Sequence, residues 1–127
     1  MDTFFLIGTG GFLGAILRYT LSSRVQNWTN ITQFPIGTLV VNILGCLLIG
    51  TLAQLAETRD IFTPAARSLI FLGFLGAFTT FSTFSSDNFN LFQNGQSFLF
   101  YLNIGTNVIL GLIAVWAGRN LTAYFIH

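Results

Sequence analysis

The chain has 127 residues, enough for one domain, and 53% are hydrophobic while only 7% are charged, with no lysine at all. A soluble surface calls for roughly a quarter charged residues, so this composition excludes an ordinary water-soluble domain and points to an integral membrane protein. A net charge of +1 also excludes a nucleic-acid partner, which would need clustered Arg and Lys.

A spanning helix needs about 20 mostly apolar residues. The first is predicted over about residues 3–21. The start, Met1-Asp2-Thr3, lacks the basic region of a signal peptide, so this segment is expected to be retained. It contains Gly8-Thr9-Gly10-Gly11-Phe12-Leu13-Gly14-Ala15. The spacing does not fit a dinucleotide-binding loop, and no strand precedes it. Gly10 and Gly14 instead form a small-x-x-x-small pair, which suits a close-packed helix face. Arg18-Tyr19 lies near the end of the span. Arg18 has two readings: an interfacial anchor that snorkels, or a residue that draws anions towards a pore. The polar stretch from Ser22 to Phe34 is predicted to be a loop, with Trp28 at the interface.

The second span is predicted over about 35–56, with Pro35 as its first helical residue. Asn42 is its informative position, because an amide at membrane depth is costly without partners. It either bonds a neighbouring helix or faces a lumen as a donor. Thr38 lies one turn earlier on the same face. Cys46 is read as a small packing residue, and a single cysteine cannot form an intrachain disulfide. Glu57-Thr58-Arg59-Asp60 is predicted to be a short charged loop.

Thr63-Pro64 is an N-cap followed by proline, and opens a third span over about 64–92. The rest of the chain is organised around its centre, Gly73-Phe74-Leu75-Gly76-Ala77-Phe78-Thr79-Thr80-Phe81-Ser82-Thr83-Phe84-Ser85-Ser86-Asp87. Hydrocarbon disfavours so many hydroxyls unless they are paired. A helix that breaks at membrane depth, against a partner or an aqueous lumen, accommodates them. Phe71, Phe74, Phe78, Phe81 and Phe84 follow helical spacing and are predicted to form one aromatic stripe. These rings either pack, or offer the positive edges of their quadrupoles to a partly dehydrated anion. Thr80, Thr83 and Asp87 form a neighbouring polar stripe. A break near Gly76 and Thr79 would free carbonyls that suit a cation, and two such breaks at a twofold axis would supply four.

Asn94-Gly95 reads as a turn. The fourth span is predicted over about 97–118 or beyond. It carries Asn103, Thr106 and Asn107, and Arg119 closes it. With alternating loops, Arg59, Arg67 and Arg119 fall on one side and Arg18 and Arg24 on the other. Orientation is normally set by such a bias, and here there is almost none. The chain is therefore expected to insert both ways and to pair as an antiparallel homodimer. Four short spans enclose little volume, so a pathway needs more than one subunit.

What is missing also counts. No acid or histidine falls at mid-span, whereas a proton-coupled pump usually has one. No His/Cys cluster has metal-ligand spacing. The only histidine is His127, so a Ser-His arrangement is unsupported and no enzyme activity is expected.

The sequence resembles the CrcB/Fluc fluoride channels of microbes over nearly its whole length. The carriers are Gly10-Gly11-Phe12-Leu13-Gly14-Ala15 with Arg18-Tyr19, Gly37-Thr38-Leu39-Val40-Val41-Asn42 with Gly45, and the run from Gly73 to Ser85. The resemblance implies a four-helix, dual-topology homodimer in the plasma or inner membrane. It implies two separate pores that passively and selectively expel fluoride. By motif, Phe81 and Phe84 would line the fluoride pathway, and Asn42 would donate to the ion with Thr38 nearby. Thr80 and Thr83 would belong to a polar track, joined by Asn107. Arg18 would sit in the vestibule. Gly76 and Thr79 would offer carbonyls to a structural sodium ion at the dimer axis. Asp87 departs from the glutamate common in relatives, and Asn103 and Asn107 fall where relatives vary. Two other readings stand beside this one. A small multidrug exporter would want a glutamate in the first span, which has none. A non-transporting assembly subunit would use its glycines and asparagines for packing alone.

Overall fold

The computed structural model describes residues 2–126; Met1 and His127, the lone histidine, lie outside the described residues. These residues are all-helical, with no strand among them. The elements are α1 (Thr3–Thr29), α2 (Ile36–Arg59), α3 (Pro64–Arg67), a π-helical stretch (Ser68–Leu75), α4 (Gly76–Phe78), α5 (Phe81–Gln93) and α6 (Ser97–Phe125). Four helical segments are long and apolar enough to cross a membrane: Thr3–Thr29, Ile36–Arg59, Pro64–Gln93 and Ser97–Phe125. The third is assembled from α3, the π-helical stretch, α4 and α5.

Several boundaries differ from the sequence expectation. Residues 22–29, predicted to be loop, continue α1. At 1.5 Å per residue its 27 residues reach about 40 Å, beyond a hydrocarbon layer of about 30 Å. Polarity there marks the exit from the membrane, not the end of the helix. α1 stops at Asn30, which takes a left-handed conformation (φ 57°). The side chain of Gln26 then ties this polar end to the next helix. Its Nε2 donates to Phe34 O at 2.9 Å and to Ile31 O, and its Oε1 accepts from Gly37 N at 3.0 Å. Pro35 is the N-cap of α2 and not its first helical residue, so the helix starts at Ile36, one residue later than expected. α2 continues through Glu57, Thr58 and Arg59 to a left-handed Asp60, so the charged loop is shorter than predicted. Glu57 is held there by a bidentate pair with Arg119 on α6, at 2.8 and 3.1 Å. α6 extends to Phe125, past the minimum expected at 118.

Two local signals act as predicted. Thr63 Oγ1 accepts from Ala66 N at 3.1 Å and caps α3, with Pro64 in its first turn. Gly95 takes φ 75° in the turn before α6.

α2 packs along α6, and α1 packs along the first half of the third span. The second contact depends on missing side chains. A Cβ on Gly73 would lie 2.7 Å from Ile7 O and 3.0 Å from Gly10 Cα, and one on Gly10 would strike Leu69 O. The backbones are thus in direct contact, as small-residue helix pairs in membranes allow.

The expected single aromatic stripe is divided. Phe74 and Phe78 stack at 5.8 Å, and Phe78 is 2% exposed. Phe81, three residues on, is 78% exposed and pairs with Phe84 at 5.7 Å. The cause is the backbone between them. Thr79 (φ −92°, ψ 155°) and Thr80 (φ −151°, ψ 124°) are extended, which turns the chain off the helical spacing.

A Gly10→Val chain should lose about 1–3 kcal/mol through overpacking. Thermal unfolding in detergent is expected to show a lower midpoint for it. Gly8→Ala, where a Cβ meets nothing within 4 Å, is expected to match the unmodified protein.

Candidate functional site

The site begins with the unmet backbone needs of Thr79 and Thr80. In a continuous helix the Thr80 amide would serve Gly76 O. Here it donates to Asn42 Oδ1 at 3.2 Å, while Asn42 Nδ2 lies 3.5 Å from Thr80 O. The Asn42 side chain thus stands in for a neighbouring strand. α5 restarts with Thr80 as its N-cap, whose Oγ1 accepts from Thr83 N at 3.3 Å. Thr83 N is therefore diverted from Thr79 O. The carbonyls of Gly76 and Thr79 are both left without their helical donors.

Ala77 O, the next freed carbonyl, is taken by Arg18. The Arg18 Nε donates to it at 3.0 Å. A cation at the carbonyl end of a helix is favoured by the helix dipole as well as by the bond itself. Gly45 on α2 makes room for the extended pair, since a Cβ there would collide with the Thr79 methyl.

Six residues assigned from sequence line one open groove of about 460 Å³: Asn42, Thr79, Thr80, Phe81, Phe84 and Asn107. The groove is mostly apolar, with Ile49, Phe71, Leu75 and Val108 among its walls. Asn42 Nδ2 donates to Asn107 Oδ1 at 3.3 Å across it. Thr83 joins this set through Thr80, the two hydroxyls lying 3.3 Å apart. Ser82 Oγ lies 3.1 Å from the Thr80 hydroxyl.

Thr38 is placed elsewhere. It lines a separate polar hollow of about 630 Å³ with Gln26, Asp87, Asn90 and Asn94. Asp87 Oδ2 is buried beside this hollow with no hydrogen-bond partner. Among the described residues no cluster of His, Cys, Asp and Glu is arranged to hold a metal ion.

The sequence reading passed over Asn88 and gave Asn103 no role. Both are buried, at 7% and 1% exposure, and Asn103 Nδ2 donates to Asn88 Oδ1 at 2.8 Å. The spacing of Asn103 and Asn107 already places both on one face of α6. Nothing in the sequence sets Asn88 apart from the other polar residues around it, Ser85, Ser86, Asp87 and Asn90.

Known proteins resemble this chain over most of its length. Residues 5–119 match the family model described as CrcB-like protein, Camphor Resistance (CrcB). The chain belongs to the CrcB family. It is 44% identical over 128 residues to "Fluoride-specific ion channel FluC 1" of Methanosarcina acetivorans, covering 98% of this chain and 96% of that protein. It is 51% identical over 120 residues to "Fluoride-specific ion channel FluC" of Campylobacter lari, covering 93% and 95%. A third CrcB relative, "Fluoride-specific ion channel FluC" of Flavobacterium psychrophilum, is 42% identical over 118 residues, covering 93% and 94%. These relatives are named as channels, not enzymes. With its four long apolar helices, this CrcB-family chain is a multi-pass membrane protein.

Loss of the Asn42 side chain should expose the Thr80 amide. In an Asn42→Ala chain, hydrogen exchange at Thr80 is expected to accelerate about tenfold or more, with the α6 core amides unchanged.

Proposed function

We propose that this chain is a passive, fluoride-selective channel that works as an antiparallel homodimer with two pores. The observation that supports the reading is the groove that Asn42, Phe81, Phe84 and Thr80 line beside the extended pair Thr79 and Thr80. The names of the relatives support fluoride as the ion.

A small anion in this groove would exchange water for two kinds of positive surface. One is the Asn42 Nδ2–H, whose acceptors among the described residues lie at 3.3 and 3.5 Å, long for such bonds. The other is the positive rim of the Phe81 and Phe84 rings. Fluoride is small and holds its water tightly, so donors and ring edges at fixed positions would favour it over larger halides. Phe81 is largely uncovered within one chain, and an inverted second copy would close the groove over it. Thr80 and Thr83 would continue the path as a polar track, and the Thr38–Asp87 hollow would open it to water. Arg18 would raise the local anion concentration near one mouth while holding Ala77 O. The near balance of arginines between the two sides supports insertion in both orientations.

The carbonyls of Gly76 and Thr79 fit a structural sodium ion. Both are hard oxygen donors stripped of their helical partners, and two chains would supply four. Such an ion would lock the two interrupted crossings together.

Liposomes carrying the purified protein, made permeable to potassium, should release fluoride and hardly any chloride to an ion-selective electrode. Equal release of both halides would refute the reading. Phe81→Ile and Asn42→Asp are each expected to lower fluoride release at least about tenfold while dimers persist on size exclusion. Exchanging sodium for a bulky organic cation is expected to weaken the dimer. A dimer indifferent to that exchange would remove the cation site.

A further inference from the structure

Four asparagine side chains run in series from the groove into the helix core. Asn42 Nδ2 donates to Asn107 Oδ1 at 3.3 Å, Asn107 Nδ2 to Asn103 Oδ1 at 2.9 Å, and Asn103 Nδ2 to Asn88 Oδ1 at 2.8 Å. The series joins α2, α6 and α5, and every bond points the same way.

Backbone groups fix that direction. Asn107 Nδ2 also donates to the main-chain carbonyl of Asn103 at 2.8 Å. A carbonyl only accepts, so nitrogen must face it, and Asn107 must turn its oxygen to Asn42. At the other end the Thr80 amide only donates, so Asn42 must present Oδ1 to it. A flipped Asn42 would set oxygen against oxygen at Asn107 and N–H against N–H at Thr80.

Counting protons then separates the roles. Both N–H groups of Asn107 are spent on Asn103. Towards Asn42 it has only an oxygen to offer. Of the two N–H groups on Asn42, one serves Asn107 and the other lies near Thr80 O at 3.5 Å, a distance at which little bonding remains.

We infer that Asn88 and Asn103 are positioning residues of the anion site, and that Asn107 is a third one and not an anion ligand. The buried series holds one Asn42 N–H ready for the ion. The inference rests on the fluoride reading. It assigns Asn107, placed on the pathway from sequence, a different task there.

Asn88 tests this from outside the groove. Asn88→Leu removes the terminal acceptor. Asn88→Asp keeps an oxygen in its place, and its charge does not face neighbouring Asp87, because adjacent helical residues point apart. Asn88→Ala makes the same deletion with less bulk, should leucine not fold. The readout is the Asn42 side-chain amide signal in asparagine-labelled protein, assigned by its loss in Asn42→Ala.

In Asn88→Leu or Asn88→Ala this signal should shift or double and fluoride release should fall about tenfold. Asn88→Asp should restore both. An Asn42 signal unmoved by the deletions, or an Asn88→Asp chain no better than Asn88→Leu, overturns the inference. Liposomes carrying the unmodified protein that pass no fluoride would instead overturn the functional reading, and the amide signal would still decide the series.

Discussion

A main-chain amide inside an apolar layer must find an acceptor, and at Thr80 that acceptor is the side chain of Asn42. The rest of the site follows from this bond. Once Thr80 N is taken by α2, the helix cannot continue through it, and the carbonyls of Gly76, Ala77 and Thr79 lose their usual donors. One is claimed by Arg18 from α1. The chain regains helicity only because the Thr80 hydroxyl caps α5. Three helices are therefore committed to holding two extended residues in place.

Tight packing makes that commitment possible. α1 reaches the third crossing backbone to backbone at Gly10 and Gly73, which brings Arg18 within reach of Ala77. α2 gives up a side chain at Gly45 so that Thr79 can lie against it. Rigid support of this kind lets polar groups stay aimed at a groove without collapsing onto one another.

Sequence made much of this legible. Four long apolar runs, the Thr63 cap and the Gly95 turn are local properties, and local physics sets them. The peculiarity of the Gly73–Asp87 stretch was visible because its hydroxyls conflict with its apolar surroundings. Its consequences for direction were not. Helical spacing joined Phe74, Phe78, Phe81 and Phe84 into one stripe, yet two extended residues send Phe78 into the core and leave Phe81 outside. The polar end of α1 misled for a different reason: hydropathy reports the edge of the membrane, while helicity is a matter of backbone bonding. Asn88 was illegible because burial on α5 depends on α6, which no local pattern reveals.

The π-helical stretch Ser68–Leu75 is separated from the extended pair only by the short α4. Its i→i+5 bonding accommodates one more residue per turn than regular winding, a feature frequent at functional sites. That surplus sets the azimuth of everything after it. Removing a single residue there would turn the downstream chain by about 100° and carry Thr79 off Gly45. Apart from Gly73, whose missing side chain lets α1 approach, this segment is therefore constrained in its length more than in its side chains.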